Sequence, residues 1–251
     1  MIKNYLKIAW RNLWKSKFYT LINISGLAVG LATSIMLLLW VQNELSYDKF
    51  NKDYGDIYQL SSHFPADDGG DNVWTGAPAP LAVYSKSFPE VESIVRINSM
   101  PDQVLTEAGN DKVIDGNSLA FVDPDFLSVF NFPLVAGDRK TAFSELNSIL
   151  LTESTADKLF GGKPKNYGEI LGKTVTFHGE NFVVTGILKD FPENSTIRYD
   201  ALFPMAFYGQ WFTANGGNGD WKTIDEDVGN YVFNIYVKLQ PQADPVKTGE
   251  K

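Results

Sequence analysis

The residues that could carry chemistry are few, and the most suggestive of them is the run Gly172-Lys173-Thr174. A phosphate-binding loop needs another glycine five residues before the second one, and it ends a strand and opens a helix. The position five residues before Gly172 is Tyr167, and Lys173 begins a predicted strand. We therefore predict a turn here and no ATP hydrolysis by this chain.

Metal binding and acid–base catalysis have little support in the sequence. His63 and His178 are the two histidines, each predicted on a strand among apolar or hydroxyl neighbours, and cysteine is absent. Zinc sites need several such ligands close together. The acidic runs at residues 67–72 and 225–227 are typical of solvated loops, and the first lacks the closing glutamate of a calcium loop. We predict no catalytic, cofactor-binding or metal-binding residue, and hence no enzyme.

Charge is distributed unevenly along the 251 residues, whose formal net charge is −8. Residues 1–17 contain five basic residues and no acidic one, whereas the remainder contains 17 basic and 30 acidic residues. A nucleic-acid-binding protein would need a basic surface, so we expect no nucleic-acid partner. The short basic segment needs another explanation.

A hydrophobic segment separates the basic start of the chain from the acidic remainder. Residues 21–41 contain no charged side chain, and a helix of this length is about 31 Å long, which matches the hydrocarbon core of a bilayer. The segment exceeds the 7–15 apolar residues of a cleaved signal peptide. We predict an uncleaved transmembrane helix over residues 18–43, with the N-terminus in the cytoplasm because basic flanks stay inside.

Residues 1–17 predict an amphipathic helix before this span. Basic residues recur every four positions on one side, and two tryptophans lie on the apolar side. Such a helix suits the headgroup region of an anionic leaflet; the alternative is a basic flank that only orients the anchor. The predicted membrane-interface residues are Lys3, Lys7, Trp10, Arg11, Trp14 and Lys15.

Small residues recur every four positions within the predicted span, at Gly26, Gly30 and Ser34. Lipid tails provide no hydrophobic drive for helix association, so close backbone approach at small residues has to provide it. Leucine at these three positions would be equally suitable in a helix that only tethers a domain. We therefore predict that these three residues pack against other membrane helices.

Residues 44–240 predict an α+β domain, because short helices interrupt the strands without long βα repeats. Thr152 is a predicted N-cap and Gly161 a predicted helix terminator, whereas residues 131–138 are predicted to form a loop. The predicted helices are residues 78–88, 123–130, 153–160 and 207–212. The predicted strands are residues 57–64, 91–98, 103–106, 112–114, 119–122, 148–151, 173–178, 181–188, 198–203 and 231–239.

Several sequence motifs resemble ABC transporter permeases of the MacB/FtsX-like class. The resemblance extends over about residues 3–240, in order and with gaps. The motifs that carry it are KIAWRNLWK at 7–15, LINISGLAVG at 21–30, ELSYDKF at 44–50, DPDF at 123–126, FPL at 132–134, LTESTA at 151–156, KLFG at 158–161 and VTGILKDFPENS at 184–195.

The resemblance implies a permease subunit, or its N-terminal portion, in the bacterial inner membrane. Such permeases form dimers, pair with a cytoplasmic ATPase and transmit ATP-driven motion to a periplasmic domain, for export, efflux, or lipoprotein and cell-envelope handling. It also implies contacts with membrane lipids and with a periplasmic or outer-membrane partner. By analogy, the periplasmic domain at residues 44–240 would contain an inserted subdomain at roughly residues 100–190.

The chain departs from that family at its C-terminal end. Members have at least three further membrane helices after the periplasmic domain, so we expect residues 241–251 to mark a truncation point before such a helix. An alternative function is a single-pass, membrane-anchored periplasmic sensor or adaptor. The small-residue face favours the permease, and only 17 residues precede the span, too few for a cytoplasmic output domain.

Overall fold

The computed structural model describes residues 2–66, 69–109, 113–162, 164 and 166–249. It divides into two compact units, Met1–Tyr47 and Asp48–Lys251. The predicted strand at 112–114 and the acidic run at 67–72 lie partly outside the described residues.

The first unit consists of two helices, α1 (Ile2–Lys15) and α2 (Lys17–Glu44). Ser16 separates them, and the Thr20 hydroxyl donates to the carbonyl of Leu13 across the break (2.9 Å). Within the described part of the chain, α2 is the one helix long and apolar enough to cross a membrane. Its 28 residues correspond to about 42 Å of helix. The two predicted N-terminal helices are therefore present.

The second unit combines strands with short helices, which confirms the predicted α+β class. Its helices are α3 (Pro80–Ser85), α4 (Phe126–Val129), α5 (Glu153–Phe160), α6 (Met205–Ala214) and α7 (Pro245–Gly249). Its strands are β1 (Ile57–Leu60), β2 (Ser62–Pro65), β3 (Asp71–Trp74), β4 (Val91–Glu107), β5 (Val113–Val122), β6 (Leu134–Gly137), β7 (Ser148–Thr152), β8 (Thr174–Phe177), β9 (Glu180–Leu188), β10 (Ala201–Pro204) and β11 (Phe233–Leu239).

Nine of these strands form one mixed sheet, and β2 pairs with β3 in a separate hairpin. The main path runs β1-β11-β4-β5-β10-β7-β9-β6, with β5–β10 and β7–β9 parallel. Strand β8 pairs with both β9 and the far end of β4. The pairings β4-β5-β10-β7-β9-β8 therefore close into a ring, and α5 contacts four of its strands.

Hydrophobic residues fill both faces of the central strands. Along β5, Leu119 and Phe121 belong to one buried cluster, whereas Ala120 and Val122 belong to the other. Because successive side chains of a strand point to opposite faces, both faces must be covered. This explains why every residue of β7 is buried.

The predicted N-cap and C-terminal glycine of α5 are confirmed, and β8 and β9 form the predicted hairpin. The Thr152 hydroxyl accepts a hydrogen bond from the amide of Thr155 (3.3 Å), and Gly161 ends the helix in a left-handed conformation (φ 88°). The hairpin turn differs in one detail. His178, predicted on a strand, occupies the turn with Gly179, with φ values of 50° and 83°, as a two-residue turn of this type requires.

Tertiary pairing overrides several sequence-based boundaries. The two strands predicted at 91–98 and 103–106 are one strand, β4, because pairing with β5 continues past Pro101 and Asp102 through register shifts. The loop predicted at 131–138 contains β6, which pairs with β9. Gly137 permits this pairing, since a Cβ there would lie 2.5 Å from the Thr185 carbonyl oxygen. Local composition could not reveal either partner.

Three further boundaries differ from the predictions. The strand predicted at 57–64 is divided at Ser61 into β1, which pairs with β11, and β2, which pairs with β3. Strand β3 begins inside the predicted loop at 67–72, and α7 forms within the predicted tail at 241–251. The inserted subdomain at roughly 100–190 stays a prediction.

Candidate functional site

The predicted membrane-interface residues all lie on α1. The two tryptophans are exposed, by 66% for Trp10 and 60% for Trp14, and Lys17 Nζ lies 5.4 Å from the centroid of the Trp14 ring. A cleft of about 350 Å³ between α1 and α2 is lined by Trp10, Leu13, Trp14, Lys17, Thr20, Leu21 and Ile24. The basic and aromatic side chains are thus available to lipid headgroups, and their membrane contact stays a prediction.

The predicted packing residues lie along one face of α2. Apart from the backbone of the helix itself and the adjacent residues, no described atom lies within 4 Å of the positions that a Cβ would occupy at Gly26 and Gly30. The Ser34 hydroxyl donates to the Gly30 carbonyl of its own helix (2.9 Å), so it does not project from this face. The backbone is therefore open to close approach by another helix, and the packing itself stays a prediction.

The chain enters the second unit through residues 48–53, which we call the connecting segment. Residues 44–50 were named above only as a motif of the resemblance, and no contact was predicted for them. Asp48 is its first residue, and its amide donates to the Asn194 carbonyl (3.0 Å). The Asp48 carboxylate accepts hydrogen bonds from the amide and the hydroxyl of Thr196 (3.0 and 2.6 Å). Hydrogen bonds to a charged acceptor are among the stronger ones in proteins. Four residues after the end of α2, the chain is thus attached to the 194–196 loop.

Asn51 provides a second attachment. Its side chain is buried, its Oδ1 accepts a hydrogen bond from the amide of Asn131 (3.0 Å), and its Nδ2 donates to the carbonyl of Asp48 (3.2 Å). Beside it, the Phe50 and Phe132 rings pack with centroids 5.5 Å apart. The connecting segment is therefore held by two loops distant from it in sequence, which explains why local sequence patterns did not reveal it.

Ion pairs connect this segment to the neighbouring strands. Lys238 Nζ on β11 lies 2.9 Å from carboxylate oxygens of both Asp53 and Glu92. Hydrogen bonds to Asp53 and Glu92 raise the pKa of Lys238. Lys238 therefore joins the connecting segment to β11 and to β4, and β1, which follows the segment, pairs with β11.

A cavity of about 260 Å³ lies under the connecting segment, and Asp48, Ile57, Thr196 and Tyr236 contribute to its lining. Burial, with smaller contributions from the charges of Tyr199 and Asp48, raises the pKa of Tyr236 to about 12. Asp48 and Tyr236 therefore line the same partly open cavity.

The acidic run at 225–227 is part of the fold and not only a solvated loop, which corrects the prediction. Arg96 on β4 donates from Nε and Nη2 to the two carboxylate oxygens of Asp123 (2.9 Å each) and also pairs with Asp225. Burial alone would lower the pKa of Arg96, but the hydrogen bonds and attraction from Asp123 and Asp225 outweigh it and raise the pKa. Asp227 is buried and accepts hydrogen bonds from Asn218.

The two histidines lie in separate places. His63 Nδ1 on β2 is 2.6 Å from an exposed Asp71 carboxylate, and His178 Nε2 is 3.1 Å from Gln103 Oε1. No group of three or more potential metal ligands occurs among the residues that the structure describes. Gly172, with φ 82°, forms the predicted turn before β8. The polar contacts of the connecting segment, by contrast, attach the chain to Thr196 and Asn131.

Comparisons with known proteins agree with this architecture. The model of the MacB-like periplasmic core domain family matches residues 20–251. A curated relative, the pyoverdine export ATP-binding/permease protein PvdT of Pseudomonas syringae pv. syringae (strain B728a), is 22% identical over 196 residues. That match covers 74% of this chain and 27% of the relative, so the chain corresponds to about a quarter of its length.

Two solved structures share the fold. One is a domain of a protein described as a permease from Porphyromonas gingivalis, with a TM-score of 0.62, 23% identity and 78% of each chain covered. The other is the extracellular domain of the noncanonical ABC-type transporter YknZ from Gram-positive bacteria. Its TM-score is 0.52 at 16% identity, with 78% of this chain and 89% of that chain covered. With the family match over most of its length, the chain belongs to the MacB-like periplasmic core domain family of ABC transporter permeases.

Proposed function

We propose that the chain is a permease subunit, or the N-terminal portion of one, that transmits ATP-driven motion across the bacterial inner membrane to its periplasmic domain. The family match and the export permease among its relatives support a role in transport. The basic residues before α2 favour a cytoplasmic N-terminus. The work of the transporter would be export, efflux, or lipoprotein and cell-envelope handling.

The observation that carries this proposal is the attachment of Asp48. Residues 45–47 separate the end of α2 from Asp48, whose carboxylate is hydrogen-bonded to Thr196. A displacement of α2 would therefore reach the domain through a short connection and short, charge-assisted hydrogen bonds. Lys238 would distribute that displacement to β11 and β4.

The remaining parts of the assembly follow from the first unit. A cytoplasmic ABC ATPase would bind and hydrolyse ATP, since this chain has no predicted site for it. A second permease copy or half would pack on the face formed by Gly26, Gly30 and Ser34, where the backbone is open. Lipid headgroups would contact α1, and the domain would act on a periplasmic or outer-membrane partner.

The test uses single cysteines, because the chain has none of its own. Gln42→Cys on α2 and Lys86→Cys after α3, both at exposed positions, carry spin labels in separate samples of the reconstituted complex with its ATPase. Distances between copies are measured with and without trapped ATP. We expect ATP to shift both distances. In an Asp48→Ala background, only the shift at position 42 should persist.

Asp102→Ala is the matched control. Asp48 and Asp102 both have a positive φ (58° and 54°), so alanine meets the same backbone strain at each. Within the described residues the Asp102 carboxylate has no hydrogen-bond or ion-pair partner, and this variant should behave like the wild type. Equal shifts at position 86 in Asp48→Ala and wild type would refute the connecting segment as transmitter. No shift at either label while ATP is hydrolysed would instead favour the sensor or adaptor.

A further inference from the structure

A pocket with aromatic walls opens beside the middle of β4, where Met100 contributes to its lining. Its volume is about 220 Å³, and most of its surface is apolar. Strands β4, β5, β8 and β9, the hairpin turn between β8 and β9, and helix α6 all contribute to it. The lining residues are Met100, Phe121, Phe177, His178, Glu180, Phe207, Tyr208 and Trp211.

The aromatic walls are held in position by the fold. The Phe121 ring lies 5.3 Å from Tyr208 and is stacked with Phe207 at 6.2 Å, and Tyr208 is in turn stacked with Trp211 at 6.0 Å. Burial raises the pKa of Tyr208, and this effect outweighs the opposing influence of the neighbouring Asn98 and Asn230 side chains. Trp211 is 54% exposed, so the pocket is accessible from solvent.

The rim of the pocket carries a carboxylate. Glu180 is exposed, and within the described part of the chain its side chain has no hydrogen-bond or ion-pair partner. The neighbouring His178 is occupied by its contact with Gln103 (3.1 Å). The backbone of His178 has a positive φ of 50°. This left-handed conformation strains histidine more than it would strain asparagine or glycine. The polar part of the site is therefore a free negative charge beside preformed aromatic faces.

We propose that this pocket binds a small organic cation with an apolar body. The faces of tyrosine, tryptophan and phenylalanine attract cations because of the negative charge density above the ring, and the carboxylate adds to that attraction. A volume of 220 Å³ is below the roughly 300–1,000 Å³ of sites for drug-sized ligands. The ligand class is therefore an amine or quaternary ammonium compound with about one ring. The site shares no residue with the connecting segment.

The test compares three probes of similar shape and different charge: protonated phenethylamine, neutral 2-phenylethanol and anionic 3-phenylpropionate. The full chain is placed in lipid nanodiscs, and each probe is titrated at neutral pH while probe signals are followed by ligand-observed NMR. Empty nanodiscs correct for partitioning into lipid. We expect phenethylamine to bind roughly tenfold more tightly than the alcohol, and the anion most weakly.

Two variants separate the charge from the aromatic walls. Glu180→Gln should reduce the preference for the amine over the alcohol to about twofold, and Trp211→Ala should weaken both by several-fold. Glu193→Gln and Trp74→Ala, at exposed positions outside the pocket, should change neither. Equal affinity for the three probes, no binding above that of empty nanodiscs, or a preference unchanged in Glu180→Gln would overturn the proposal.

Discussion

Helix α2 leaves its hydrophobic residues exposed, whereas the sheet of the second unit buries its hydrophobic residues on both faces. None of the 28 residues of α2 is buried, whereas the strands of the domain contribute to two clusters that cover both faces of the sheet. In water, exposed apolar surface of this extent would be unfavourable. An apolar environment such as lipid or other membrane helices therefore suits α2, which is a candidate membrane span by its length and composition.

This difference separates the effects expected of substitutions in the two regions. A residue of the domain acts mainly through partners in the same chain, so its loss should lower the stability of that domain. A residue on the small-residue face of α2 is predicted to act through molecules outside the chain, so its replacement should change association. Each of the following predictions tests whether these two effects are as separable as the comparison implies.

The largest effect is expected at Arg96 of β4, which is largely buried together with Asp123. Arg96→Met leaves Asp123 without its bidentate partner, and removing one member of a buried ion pair costs about 3 kcal/mol. For a domain of this size the melting temperature should fall by roughly 6–12 °C. Thermal unfolding of the full chain in detergent, followed by circular dichroism, measures this change. Association of the chain through α2 should remain unchanged at temperatures below unfolding.

A double variant tests the cause of that loss. Replacing both members of a buried pair with apolar residues is often nearly neutral, so Arg96→Met combined with Asp123→Leu should recover part of the stability. A single variant within about 1 kcal/mol of wild type would contradict the prediction, since surface pairs contribute that much. A double variant no more stable than Arg96→Met would show that the pair is not the origin of the effect.

The sequence predicted features whose signals are local. The apolar run that becomes α2, the Thr152 cap and Gly161 terminator of α5 and the alternating pattern of β11 depend on residues close together in the chain. Features that depend on distant partners were missed or misplaced: β6 exists because β9 pairs with it, and β4 is continuous because β5 pairs along it.

The candidate site followed the same division. The residues of α1 and α2 could be proposed from periodicity alone, because helical spacing determines which side chains share a face. Asp48 could not, since its partner Thr196 is 148 residues away. Similarly, the aromatic pocket combines residues from β4, β5, β8 and α6, and no local pattern unites them.

An intermediate effect is expected from substitution of the small-residue face. Gly26→Leu with Gly30→Leu fills the space now open at both positions, so association with a second copy or partner helix should weaken roughly tenfold. Co-purification of two differently tagged copies measures this. The melting temperature of the domain should not change.

The control places the same two leucines on another face of the helix. Ala28→Leu with Ala32→Leu also replaces two small residues four positions apart, so it matches the spacing and the introduced side chains and adds one methyl group less at each position. It should leave association near wild type. Equal losses in the two pairs would show that bulk anywhere on α2 is sufficient, and an unchanged Gly26/Gly30 variant would show that this face does not pack.

The smallest effect is expected at Tyr236, under the connecting segment, and it should be visible only at alkaline pH. The pKa of Tyr236 is raised by burial to about 12 in the folded protein, against about 10 in an unfolded chain. Between pH 10 and 12 the unfolded state releases this proton while the folded state keeps it, so stability falls as pH rises. Tyr236→Phe removes this contribution.

Urea unfolding of both proteins at pH 7, 9, 10 and 11 measures the difference. At pH 7 the free energies of unfolding of wild type and Tyr236→Phe should agree within about 0.5 kcal/mol. The Tyr236 hydroxyl has no hydrogen-bond partner among the described residues, and substitutions that break no such contact have small effects. Above pH 10, stability should fall less steeply in Tyr236→Phe than in wild type, whereas Lys238 and the other tyrosines with raised pKa values affect both equally. Parallel curves would mean that Tyr236 titrates normally and that the space beneath Asp48 is open to water.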